Sequence, residues 1–69
     1  MVELLVFIRK DAPLARIDTL ARELAAVGLT VQSTVPSLGV IIGTAEHPSL
    51  AADLQKIKDV VAVRERRQG

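Results

Sequence analysis

His47 is the one histidine of the chain, and Glu46 is the only carboxylate placed beside it. Such a pair becomes a nucleophilic centre only when a hydroxyl or thiol sits within reach of the base. Ser33, Ser37 and Ser49 have no identifiable base in the sequence, and there is no cysteine. A metal site needs several ligands, and no set of them is spaced to form one. His47 directly precedes Pro48, which makes it a loop residue ahead of a helix. Gly39 and Gly43 lack the spacing of a phosphate-cradling loop. Glu23 and Asp53 fall on solvated helix faces. These residues predict no catalytic centre, no cofactor and no metal ion.

Charge gathers in one place, a basic tail at residues 64–69: Arg64, Glu65, Arg66, Arg67, Gln68 and Gly69. Over the whole chain nine basic and eight acidic residues leave a formal net charge of +1. A field so weak leaves no electrostatic footprint for nucleic acid.

The 69 residues suffice for one domain, residues 1–69. A chain of this size buries only about 60% of its unfolded surface, so its stability is marginal. Apolar residues make up 49% of it, nearly all Val, Leu, Ile and Ala, with Phe7 the sole aromatic. That content opposes disorder. No apolar run approaches the roughly 18 residues of a membrane span. The start, Met1-Val2-Glu3-Leu4, lacks the basic region and cleavage site of a secretory leader. An intact cytoplasmic chain with no membrane partner is expected.

Residues 3–9 form an apolar run closed by charge, the pattern of a central strand. Asp11 is placed as an N-cap and Pro13 in a first helical turn. Leu14, Ile17, Leu20, Ala21, Leu24 and Val27 then recur at helical spacing, and Gly28 follows where a C-cap is wanted. Leu29 to Val35 alternates as a half-buried strand. Pro36-Ser37-Leu38-Gly39 is a turn, and residues 40–44 complete a hairpin. Leu50, Leu54 and Ile57 mark a second helix, and residues 60–63 a last strand. Strand, helix, strand, strand, helix, strand is the split-βαβ plan. It predicts a ferredoxin-like α+β fold, a four-stranded antiparallel sheet with both helices on one face.

Two helices cover only one side of such a sheet, and side chains alternate across a strand. With Leu4, Val6 and Ile8 toward the helices, Leu5 and Phe7 face away. In the third strand either Ile41 or the Val40 and Ile42 pair joins them, and the pattern is read with Ile41 outward. Thr30, Gln32 and Thr34 would form a polar margin. An exposed apolar patch of a few hundred Å² marks an interaction surface. RNA-binding domains of this plan stack bases on aromatics of the central strands, a platform that Phe7 alone cannot supply. Metal-chaperone domains of this plan carry two cysteines after the first strand, where this chain has Arg9-Lys10-Asp11-Ala12-Pro13.

Taken whole, the chain resembles the propeptide domain of subtilisin-like serine proteases, including its stand-alone inhibitor members. The resemblance rests on Leu4-Leu5-Val6-Phe7-Ile8, on Gly28 leading into Thr30-Val31, and on the run from Val35 to Gly43. It ends on Leu50, Leu54, Ile57, Val60 and Val63. It implies a sheet face, here Leu5, Phe7 and Ile41, packed on two protease helices, with residues 65–69 in the active-site cleft. The family pattern is similar to Val-Glu-x-Asp after the last strand, its acids capping the protease helices. This chain has Val63-Arg64-Glu65-Arg66, and a cation at a helix N-terminus costs about 0.3–1 kcal/mol. Glu65 alone would serve there.

The stretch Asp11-Ala12-Pro13-Leu14-Ala15-Arg16-Ile17, with Leu24 and Gly28-Leu29-Thr30-Val31, resembles the first loop and helix of ACT domains. Those regulatory modules bind small ligands at a dimer interface, with a glycine where this chain has Leu14. Three readings follow. The first is a non-catalytic module binding a subtilisin-like protease as inhibitor or folding helper. The second is a self-associating (homodimeric) or partner-binding adaptor, and the third an ACT-like sensor with its ligand at residues 9–14.

Overall fold

Val2, Leu4, Val6 and Ile8 alternate with Glu3, Leu5 and Phe7, and that period of two makes a strand with two unlike faces. The computed structural model describes residues 1–66. Its elements are β1 (Val2–Ile8), α1 (Leu14–Val27), β2 (Thr30–Val35), β3 (Val40–Ala45), α2 (Leu50–Gln55) and β4 (Val60–Arg66). The strands form one antiparallel sheet in the order β2-β3-β1-β4. This is the ferredoxin-like α+β fold. Each helical crossover returns the chain to a strand one place removed, which puts the two most apolar strands, β1 and β3, at the centre.

Both helices pack on one face. α1 lies over the β2 side and α2 over the β4 side. The core joins Leu4, Val6 and Ile8 of β1 to Ile41 and Ala45 of β3, Val63 of β4, Ile17, Leu20 and Leu24 of α1, Leu29 and Leu54. Each buried Leu or Ile contributes about 1.5–3 kcal/mol. Among the described residues no polar side chain is buried and no buried side-chain nitrogen or oxygen lacks a partner. No helix among them is long and apolar enough to cross a membrane.

Gly43 makes the β2–β3 packing possible. A Cβ there would lie 2.7 Å from the Thr30 carbonyl oxygen and 2.8 Å from Leu29 Cγ. The missing side chain leaves the room that Leu29 fills in the core.

The helix ends depart from the expected ones. Asp11 does not cap α1; its carboxylate is taken by Arg9, at 2.7 and 3.1 Å. Pro13 is the cap residue, with φ −63° and ψ 153° and no side-chain cap bond. Leu14 and Val27, at the two ends of α1, are exposed. α2 stops at Gln55, and Ile57 follows it in a tight turn, its N–H donating to the Leu54 carbonyl.

Candidate functional site

The face away from the helices is set by strand register. Opposite residues of an antiparallel pair share a face. Phe7 pairs with Val40 of β3 and with Ala62 of β4. Leu5 pairs with Ile42 and Arg64, and Glu3 with Thr44 and Arg66. β2 adds Val35 beside Val40, Ser33 beside Ile42 and Thr30 beside Thr44. Three cross-strand rows therefore run from apolar to polar. The first is Val35, Val40, Phe7 and Ala62. The second is Ser33, Ile42, Leu5 and Arg64. The third is Thr30, Thr44, Glu3 and Arg66, closed by an ion pair between Arg66 and Glu3 at 3.4 Å. Leu5, Phe7, Val40 and Ile42 are each half-buried by their neighbours alone.

Leu5 and Phe7 stand on the uncovered face, as their alternation with the buried residues of β1 requires. Ile41 does not. It lies opposite Val6 and is fully buried against the helices. Val40 and Ile42 take the outward positions, because Gly43 must face the helices to admit Leu29 and Ile41 shares its parity. The polar margin also changes. A register shift between Val31 and Ser33 accommodates Gln32 as an extra residue, so Ser33 joins Thr30 on the open face while Thr34, opposite Ile41, turns to the helix side.

The basic segment is not a free tail over its described part. β4 continues to Arg66, pairing Arg64 with Leu5, Glu65 with Leu4 and Arg66 with Glu3. Arg64 and Arg66 thus border the open face, and Glu65 points to the helix side. Arg67, Gln68 and Gly69 lie outside the described residues.

At the Phe7 end the open face runs into a groove of about 420 Å³, bordered by Leu38 of the β2–β3 turn and Val61 of β4. Val61 is displaced by a register shift between Phe7 and Ile8. Both residues are largely exposed.

A polar network that no local pattern announces closes the same end of the sheet on the helix side. Asp59 precedes β4 with φ 75°, a conformation a non-glycine residue seldom adopts. Its carboxylate accepts from Arg16 Nε at 3.0 Å and from Arg9 Nη1 at 3.4 Å. Its carbonyl accepts from the Arg9 N–H at 3.0 Å. Arg16 also reaches Glu23 at 3.4 Å. The hydrogen bond to Asp59 is the main reason the Arg16 guanidinium is held above its ordinary pKa. These bonds fasten the loop at residues 9–13, where an ACT-like ligand would have to enter.

His47, Glu46, Ser49 and Asp53 line a separate cleft of about 300 Å³ at the start of α2. All four are exposed, and His47 makes no side-chain hydrogen bond among the described residues. Among the described residues no three His, Asp or Glu side chains are placed to hold a metal ion.

Comparison with protein-family models, with curated proteins and with solved structures found no match. Fold and surface define a class, a ferredoxin-like domain whose sheet is covered by helices on one side and open on the other.

Proposed function

We propose that the chain is a non-catalytic protein-binding module that docks its partner on the open sheet face. One observation carries this reading: Leu5, Phe7, Val40 and Ile42 form an apolar centre on the face that the protein's own helices leave uncovered. Such a surface gains from being removed from water, at about 25 cal/mol per Å² of apolar area. The likeness to subtilisin propeptides names one class of partner to try first. Against that class stands the charge of the sheet border, where Arg64 and Arg66 occupy positions on the face and Glu65 turns away.

The test is titration of the isotope-labelled chain with a broad-specificity subtilisin whose nucleophilic serine has been removed, read by amide chemical shifts. Shifts centred on Leu5, Phe7, Val40 and Ile42 support the reading. Shifts confined to α1 and α2 overturn it. An unchanged spectrum removes subtilisin-like proteases as the partner class.

A further inference from the structure

The groove at the Phe7 end of the open face has a charge pattern of its own. Phe7 and Ala62, paired across β1 and β4, form its base. Leu38 and Val61, 72% and 65% exposed, stand beside them. Lys10 and Arg64 also line it, and no carboxylate among the described residues does. Neither cation makes an ion pair among the described residues, whereas Arg9, Arg16 and Arg66 are each engaged by Asp or Glu. Two solvated cations over an apolar trough are the complement of an apolar side chain flanked by carboxylates.

A second copy of the chain is a poor occupant. A two-fold contact uses the same patch on both subunits. Centred here, it would bring two lysines and two arginines around one apolar contact with no counter-charge. The sheet edges do not invite a copy either. The last residues of β4 are Arg64, Glu65 and Arg66, and β2 is bulged at Gln32 and followed by Pro36. Charges, bulges and proline all blunt edge-to-edge pairing.

We propose that this groove binds a protein segment in which an apolar side chain is accompanied by two or more Asp or Glu residues. The proposal rests on the partner-binding reading and names the chemistry of the partner.

The probe is a random twelve-residue peptide library on phage, panned against the immobilised full chain. The strongest peptides are then synthesised and their affinities measured at low and high salt. Enrichment of acidic residues around an apolar one is expected. The double variant Lys10→Glu with Arg64→Glu should weaken these peptides by about tenfold or more, as should added salt. Arg22→Glu with Lys56→Glu changes the net charge equally on the helix side and should leave binding unaltered. Circular dichroism checks that each variant keeps its fold. Peptides without acidic excess, lost on Phe7→Glu but indifferent to the Lys10 and Arg64 changes, overturn the groove assignment and leave the open-face reading standing. Equal weakening by both charge-reversed pairs overturns the proposal, since the effect is then one of net charge. No enrichment overturns it as well.

Discussion

Arg16 Nε donates to Asp59 Oδ2 at 3.0 Å, joining the first turn of α1 to the turn before β4 across 43 positions of sequence. The guanidinium side chain is 25% exposed and the carboxylate 14%, so water screens the pair only in part. The bond does more than pair two charges. It holds Asp59 in a left-handed conformation that costs a non-glycine residue about 1–2 kcal/mol, and it fixes where β4 begins beside Ile8.

Substitutions at Asp59 separate backbone from charge. Asp59→Ala loses the side-chain bonds to Arg16 and Arg9, keeps the backbone bond from the Arg9 N–H, and keeps the unfavourable φ. Asp59→Gly loses the same bonds but adopts that φ freely. Asp59→Ala should destabilise the protein by about 1–3 kcal/mol, and Asp59→Gly by less. Urea midpoints at constant slope give the order. Equal losses would show that the backbone at residue 59 is unstrained.

Acid should weaken the same end of the molecule. The hydrogen bond from Arg9, and then its charge, hold the Asp11 carboxyl below the ordinary aspartate value. A carboxyl depressed on folding contributes its stability above the unfolded value and loses it as pH falls through the folded one. Asp11→Asn should therefore match the parent less and less well toward neutral pH, and converge with it in strong acid. Urea midpoints measured down the acid range test this. Parallel curves at all pH values would show that the Arg9–Asp11 pair makes no contribution.

Phe7 and Ile41 lie on adjacent strands and opposite faces. Phe7→Glu should keep the helical circular dichroism and abolish partner binding. Ile41→Ala should cost about 2–5 kcal/mol, the range for a large-to-small change in a core, and leave the binding surface of the remaining folded molecules intact. Unfolding by Phe7→Glu would place Phe7 in the core and remove the open-face reading.

Gly43→Ala should destabilise by about 1–3 kcal/mol, because the new methyl meets the Thr30 carbonyl and Leu29. Amide exchange should speed up first at the start of β2. A neutral result would mean that Leu29 and the β2 backbone withdraw without cost.

Ending the chain at Val63 removes three residues that pair with Glu3, Leu4 and Leu5, together with the Arg66–Glu3 ion pair. The truncated chain should melt at lower temperature and exchange its Glu3–Leu5 amides faster. Point changes at Arg64 are therefore the cleaner probe of binding. An unchanged melting temperature would mean that the end of β4 contributes nothing to the fold.

The order of elements was legible in the sequence because it rests on local periods. Ile17, Leu20 and Leu24 recur on one helical stripe, and Leu4, Val6 and Ile8 on one strand face, whatever lies elsewhere in the chain. The membership of the open face was only partly legible. Val40, Ile41 and Ile42 are apolar at consecutive positions, so alternation cannot choose among them. Pairing of Ile41 with Val6, and the need for Gly43 to face Leu29, make the choice. The bulge at Gln32 turns Thr34 inward for the same reason: one inserted residue reverses every side chain beyond it. Arg64-Glu65-Arg66 has the composition of a solvated end, yet its backbone completes the ladder beside β1, since ladder hydrogen bonds do not depend on side-chain polarity. Asp59 and Arg16 carry no local sign of each other. Neighbours along the chain determined helix, strand and turn; which distant residues meet was decided by packing, because register and long-range ion pairs exist only once the strands and helices have closed on one core.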